Sequence, residues 1–333
     1  MHKDSKDAAL PNEASFAWGN LMHLGMNMWC DWKNPEPLNF GWEETVIRWP
    51  SDEVRADQSV WRDWSGAMSR EGMNLAVIDL GEACVYPSHP ELAAKGALSP
   101  EQMRTEIDRL RGLGIEAVPK LNFSSSHNRW LNEYRRMLGT DEYRKVCSEI
   151  ISDVCEIFGR PRLFHIGYDE ETAGHQSRFQ YVVVRQGEVW WRDFLSVVEA
   201  VEKGGSRAWC FSDITWRHMD EFLKRMPKSV VQCPWSYSRA CPVHIQSVED
   251  MLNAGYDMIP DVNTYSRDSQ DSITTVEGDA IFERFAKGDY PQKQLLGFLL
   301  CSWARPVPYH RAKGLKSIAY FGDFKRRWEK RHS

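Results

Sequence analysis

The stretch FHIGYDEE, Phe164 to Glu171, closes an apolar run with three consecutive acids. Crowded carboxylates repel, and the repulsion raises the pKa of one of them. A carboxyl kept protonated near neutral pH can donate a proton to a leaving group, while an ionised neighbour stabilises positive charge. Alternation sets a condition on that chemistry. Adjacent residues of a regular strand point to opposite sides. Asp169 and Glu170 therefore share a pocket only if the strand ends or bends there, which Gly167 permits. The same residues also read as an acidic turn in solvent, and the octapeptide alone does not separate the two. Glu171 is expected to be a solvated loop charge.

Short apolar runs of this kind occur at 21–28, 75–80, 115–123, 163–167, 207–211, 229–233, 256–262 and 295–303. Most are continuous rather than alternating, as in parallel strands covered on both faces. Helical patterns fall between them, near 52–70, 100–112, 141–158, 189–202, 218–226, 246–253 and 279–287. The clearest has Ser99 as N-cap, Pro100 in the first turn and Gln102 completing a capping box. Residues 29–50 and 171–188 read as long loops. Eight β-then-α units in 333 residues imply a (β/α)8 TIM barrel, whose chemistry belongs at the C-terminal strand ends. The expected organisation is a polar segment at 1–18 and a single barrel at 19–333.

The residues just after each run are then the informative ones. They include Asp79, Asn122 and His127, the acids 169–171, Asp213, Trp235, Tyr237, Tyr265, Trp303 and Arg305. Carboxylates, flat rings and an imidazole on one rim suit glycoside cleavage. A protonated carboxyl meets the leaving oxygen, dipolar groups stabilise an oxocarbenium-like centre, and rings hold the sugar. The chain carries 15 tryptophans, which serve core packing first and sugar stacking for a subset. Metal is the rival for such a rim, but no HxH or HExxH spacing appears, and neither a metal nor a cofactor is expected.

The totals exclude other classes. A net charge of −5 argues against nucleic acid as partner, and no apolar stretch is long enough to span a membrane. The eight cysteines are scattered without CxxC and read as buried hydrophobes. The N-terminus has no apolar signal core, so read literally the chain is cytoplasmic. A removed leader replaced by a start Met has the same appearance, which leaves a periplasmic or secreted location open. Oligomeric state is not readable.

The segment from Tyr86 to His127, YPSHPELAAKGALSPEQMRTEIDRLRGLGIEAVPKLNFSSSH, resembles the second-to-third strand region of the β-N-acetylhexosaminidases, glycoside hydrolase family 20. FHIGYDEE resembles that family's His-x-Gly-Gly-Asp-Glu signature. VVQCPW, the AGYDMI…TY stretch and LLCSWARP resemble its sixth to eighth strands in order, so the resemblance covers residues 73–305. It implies a retaining mechanism in which the substrate's own 2-acetamido oxygen attacks the anomeric carbon, an exception to the two-carboxylate rule. By position, Glu170 would be the general acid/base and Asp169 would orient the acetamido group. Tyr265 would hydrogen-bond the acetamido oxygen, and His127 would contact the acid with Asp79 behind it. Trp235 and Trp303 would wall the sugar pocket, with Asp79, Asp213 and Arg305 contacting substrate.

The departures are as specific. Tyr168 stands where the signature has its second Gly, and Ser125-Ser126 where Pro-Gly precedes the histidine. The first strand lacks the family's sugar-gripping Arg, and Ala304-Arg305 replaces the Gly-Glu after Trp303. Arg for Glu reverses a charge, which fits a sugar carrying a carboxylate or sulfate. The expected activity is an exo-acting hexosaminidase-like hydrolase with altered sugar preference. The alternative is a carbohydrate-binding barrel that no longer turns over.

Overall fold

Each strand faces two apolar environments, and that alternation builds the barrel. The computed structural model describes residues 15–33, 41–237, 241–264 and 280–332. Eight strands form one parallel sheet: β1 (Ala17–His23), β2 (Leu75–Asp79), β3 (Glu116–Lys120), β4 (Leu163–His165), β5 (Arg207–Phe211), β6 (Val231–Cys233), β7 (Asp261–Asn263) and β8 (Gly297–Cys301). β6 and β7 lie at the ends of the hydrogen-bonded order. Met258 ties them, bridging Gln232 on one side and Leu295 on the other, so the ring nearly closes.

Helices cover the outside. α1 (Trp42–Arg48) and α2 (Gln58–Arg70) follow β1, α3 (Pro100–Gly112) follows β2, and α4 (Asp141–Ile157) follows β3. α5 (Gly187–Lys203), α6 (Thr215–Arg225), α7 (Pro242–Asn253), α8 (Ala280–Lys287) and α9 (Arg311–His332) follow β4 to β8 in turn. This is the (β/α)8 barrel. The Ser99–Gln102 capping box forms in both directions and starts α3. Asp57 caps α2 through Val60 N, so that helix starts later than the pattern from residue 52 suggests.

The observed strands are mostly shorter than the apolar runs, and two depart furthest from the sequence reading. β1 begins at Ala17 and ends at His23, rather than running 21–28. After His23 the chain crosses the end of β2: a Cβ on Gly25 would lie 2.4 Å from the Leu80 carbonyl oxygen, so only glycine permits the approach. β7 is confined to Asp261–Asn263, because Met258 makes isolated bridges rather than a ladder. The segment 29–50, expected as loop, contains α1.

Residue parity divides the core. Leu75, Val77, Val118, Leu163, Trp209, Phe211, Val231, Cys233, Leu299 and Cys301 fill the barrel interior. Ala76, Ile78, Phe164, Ala208, Cys210, Phe298 and Leu300 face the helices. A period of two thus carries each inward row to the C-terminal rim. Asp79 and Lys120 lie on inward rows and are each 1 % exposed. They form a salt bridge at the C-terminal ends of β2 and β3, with His23 Nδ1 3.4 Å from Asp79 Oδ2.

Candidate active site

The β4 row runs Leu163, His165, Gly167, Asp169, so parity alone turns Asp169 inward. Glu170 would face the helices if the strand continued. It does not continue: Gly167, Tyr168 and Glu170 take φ values of 72°, 71° and 57°. This left-handed backbone swings Glu170 back beside Asp169, at a conformational cost for the non-glycine residues. Gly167 is also needed for room, since a Cβ there would meet Asn122 Oδ1 at 2.1 Å. Tyr168 points outward and packs on Trp190 and Phe194 of α5.

Neighbours hold the turn on every side. Asn122 Oδ1 accepts from Tyr168 N (3.2 Å), while Asn122 Nδ2 donates to Asp169 Oδ1 (2.7 Å). Glu170 N donates to Asp213 Oδ2 at 2.9 Å, and Ser126 Oγ donates to the Glu170 carbonyl at 2.6 Å. Glu171 is not the solvated charge expected of it. It forms a buried ion pair with Arg185, which also binds Asp193 on α5 at 3.1 Å. Two carboxylates against one delocalised guanidinium staple the loop 171–188 to the barrel wall.

His127 is the centre of the cluster. Its Nε2 lies 3.3 Å from Asp169 Oδ2 and 3.3 Å from Glu170 Oε2. Burial lowers the imidazole's pKa, but Asp169 and then Glu170 outweigh it and raise the ring to about 10. Burial also acts on the two acids, upward, and is outweighed in each. His127 and Asn122 hold Asp169 low; hydrogen bonds from His127 and His175 hold Glu170 low. The three groups titrate as one unit, with the imidazole shifted toward its charged form and both carboxyls toward theirs. The donor atoms of these three side chains fall within 4.8 Å of one another, a spacing that could also hold a metal ion. Beside them, burial and the charges of Asp169 and Glu170 push Asp213 up to about 7.

These shifts set a pH dependence of stability. A group whose folded pKa is raised stabilises the fold fully below its unfolded value and loses that contribution as pH climbs through the folded one. His127 moves from 6.5 to about 10, so its contribution disappears across that interval. The melting temperature is expected to fall between neutral pH and pH 10, and to fall less in His127→Gln. A wild-type melting temperature that stays flat over this range would contradict the assigned proton.

Two cavities open on the rim. The smaller, about 280 Å³, is lined by His127, Asp169, Glu170, Trp235, Trp303 and Arg305 among others. The larger, about 410 Å³, lies toward β5 and includes Asp213, Trp216 and Arg217. Glu170, His175 and Trp235 border both. The indole of Trp303 is set by a positive φ of 51°, stacks on His23, and donates to Tyr237 Oη at 2.7 Å. Tyr237 in turn donates to Asp261 of β7 at 2.9 Å. Trp235 packs edge-on against Trp216 at 4.5 Å between ring centroids.

Most residues singled out from the sequence come together here, with two differences. Asp79 does not back His127 and does not line either cavity; Lys120 and His23 occupy it below the site. Arg305, expected to contact substrate, lines the smaller cavity but already pairs with Glu44 of α1. Tyr265 lies outside the described residues. Sequence reasoning missed His175, whose Nε2 sits 3.2 Å from Glu170 Oε1. The only signal was an imidazole five residues past the acid in a loop. Trp29, Arg48 and Arg178, which also line the smaller cavity, were missed as well.

No family model and no curated protein matches the chain in sequence. Solved structures do match. The β-N-acetylhexosaminidase of Bacteroides fragilis superposes with a TM-score of 0.57 at 14% identity, over 91% of this chain and 65% of that one. The family 20 exo-β-N-acetylglucosaminidase of Vibrio harveyi, solved with N-acetylglucosamine, gives 0.58 at 11% identity over 94% and 57%. The fold is that of the family 20 β-N-acetylhexosaminidases. The family 20 enzyme of Streptomyces coelicolor extends the pattern, with 0.59 at 11% over 94% and 67%. The chain thus spans about two thirds or less of the first two of these proteins, 65% and 57%. At such identities the likeness establishes the shared barrel.

Proposed function

We propose that the chain is a retaining, exo-acting glycoside hydrolase for 2-acetamido sugars with an altered sugar preference, and that the barrel, which begins at Ala17 rather than at residue 19, forms a single catalytic domain. One observation carries this reading: Asp169 and Glu170, adjacent in sequence, both face one cavity with His127 between them. The sugar would occupy the smaller cavity, against Trp235 and Trp303, and the leaving group the larger one, past Glu170.

The residues then divide the work. The acetamido oxygen attacks the anomeric carbon as the glycosidic bond breaks, giving a cyclic oxazolinium and the free aglycone. Asp169 accepts the amide N–H, holding the carbonyl oxygen in line and stabilising the charge that develops on the amide. Tyr265 would hydrogen-bond the acetamido oxygen. Glu170 protonates the departing oxygen. Its proton comes from His127 Nε2, 3.3 Å away, once bound sugar has excluded water and the amide has engaged Asp169. In the second step Glu170 takes a proton from the water that opens the ring, which restores the configuration at the anomeric carbon. His175 and Asp213 act as positioning residues, one on the Glu170 carboxylate and the other on its backbone N–H. Asp79 pairs with Lys120 and His23 beneath the cavities and takes no direct part.

A second reading, a sugar-binding barrel without turnover, is favoured by the ionised state of Glu170 under two imidazoles. Aryl glycosides with and without a 2-acetamido group, neutral and charged, separate the two. Hydrolysis confined to the 2-acetamido members and lost in Glu170→Gln supports the enzyme. Equally slow release by both proteins on every member supports the binding barrel.

A further inference from the structure

The wall of the smaller cavity holds a guanidinium with two of its three nitrogens unpartnered among the described residues. Arg305 is fully buried and lines the cavity wall. Its Nη1 donates to Glu44 Oε1 at 2.5 Å, while Nε and Nη2 meet no acceptor among the described residues. Buried polar groups are nearly always partnered, and an unpartnered charged donor is costly. The two vacant positions also form a pattern. Nε–H and Nη2–H run along one edge of the guanidinium plane, the fork that matches two oxygens of a single oxyanion. A sugar hydroxyl offers that fork one oxygen and no charge.

The surroundings favour an anion. Trp29 lies under the guanidinium, 4.3 Å from Arg305 Cζ to the ring centroid, and fixes its plane. Arg48 and Arg178 line the same cavity. Glu44, the carboxylate bound to Arg305, is shared with Arg48 Nε at 3.0 Å and His310 Nε2 at 2.9 Å. The negative charges across the cavity, Asp169 and Glu170, are bridged by His127.

We propose that the sugar bound in this cavity carries an oxyanion substituent, a carboxylate or a sulfate ester, gripped through Nε and Nη2 of Arg305. This deepens the glycosidase reading and rests on it for the placement of the sugar. Titration calorimetry on the whole chain tests it with two pairs of monosaccharides: glucose against glucuronate, and N-acetylglucosamine against its 6-sulfate. A charged member is expected to bind about 10- to 100-fold more tightly than its neutral partner, the range of a charge-assisted bidentate contact. Which pair shows the preference identifies the oxyanion. Arg305→Gln is expected to abolish it. Should that variant fold poorly with Glu44 left unbalanced, the Glu44→Gln/Arg305→Gln double variant removes both charges together.

Equal affinities within both pairs, no binding of either charged sugar at millimolar concentration, or a preference that survives loss of Arg305 would each overturn the proposal. A charge preference without hydrolysis of any glycoside would leave this inference standing and sink the hydrolase reading. Hydrolysis of neutral glycosides without a charge preference would do the reverse.

Discussion

Glu170→Gln is expected to lower kcat/KM on 2-acetamido glycosides by about 10²- to 10⁴-fold, the usual share of a general acid. The loss should depend on the leaving group. kcat/KM reports the step in which the aglycone departs, so an alkoxide needing a full proton suffers most. A strongly acidic phenol needs little help and suffers least. A merely structural role for Glu170 would lower both alike. The substitution is nearly isosteric, and the backbone contacts that hold the turn involve Glu170 N and O rather than the side chain. The fold is therefore expected to survive. Steady-state rates across a series of aryl and alkyl leaving groups make the measurement, and a uniform loss would remove Glu170 from the acid role.

Asp169→Asn has the second large effect, and its cause can be followed atom by atom. Asp169 Oδ1 accepts from Asn122 Nδ2, and Oδ2 faces His127. An amide placed there must keep its oxygen toward Asn122, which leaves its NH₂ group toward the imidazolium and the substrate N–H. Donor then faces donor on both. Loss of alignment and of the stabilising charge should reduce turnover of 2-acetamido glycosides about 10²- to 10³-fold, in line with removal of a single preorganised electrostatic partner. Glycosides without the acetamido group should be indifferent to the change. Unchanged kcat on the acetamido substrates would mean that Asp169 does not touch the amide.

Much of this site can be traced by counting in twos from the barrel interior. Val77 leads to Asp79, Val118 to Lys120 and Asn122, Phe211 to Asp213, Cys233 to Trp235 and Tyr237, and Cys301 to Trp303 and Arg305. The period survives because parallel strands keep one row inward until the sheet ends. What escaped the sequence depends on contacts between distant segments. For Glu170 the sequence stated the condition, a bend that Gly167 permits, but not that Tyr168 and Glu170 themselves take the left-handed torsions that meet it. Glu171 looks like a surface acid until Arg185, 14 residues on, folds over it. Arg305 and Glu44 meet across 261 positions, and no local pattern announces the pair. Asp79 belongs to the right row but lies too deep, where Lys120 takes it first.

The barrel's own economy explains why the acids sit where they do. Three ionisable groups crowded at one rim can be stable when an imidazole stands between two carboxylates. That arrangement also keeps His127 Nε2 3.3 Å from the carboxylate of the candidate acid.

The most direct test of substrate assistance is a fluorination series on the acyl group of the best 2-acetamido substrate. Each fluorine withdraws electrons from the amide oxygen and leaves the rest of the sugar unchanged. If that oxygen is the nucleophile, log kcat/KM falls steeply and linearly from acetyl through mono-, di- and trifluoroacetyl. A flat series would mean that another group attacks the anomeric carbon, and the roles given to Asp169 and Glu170 would have to be reassigned.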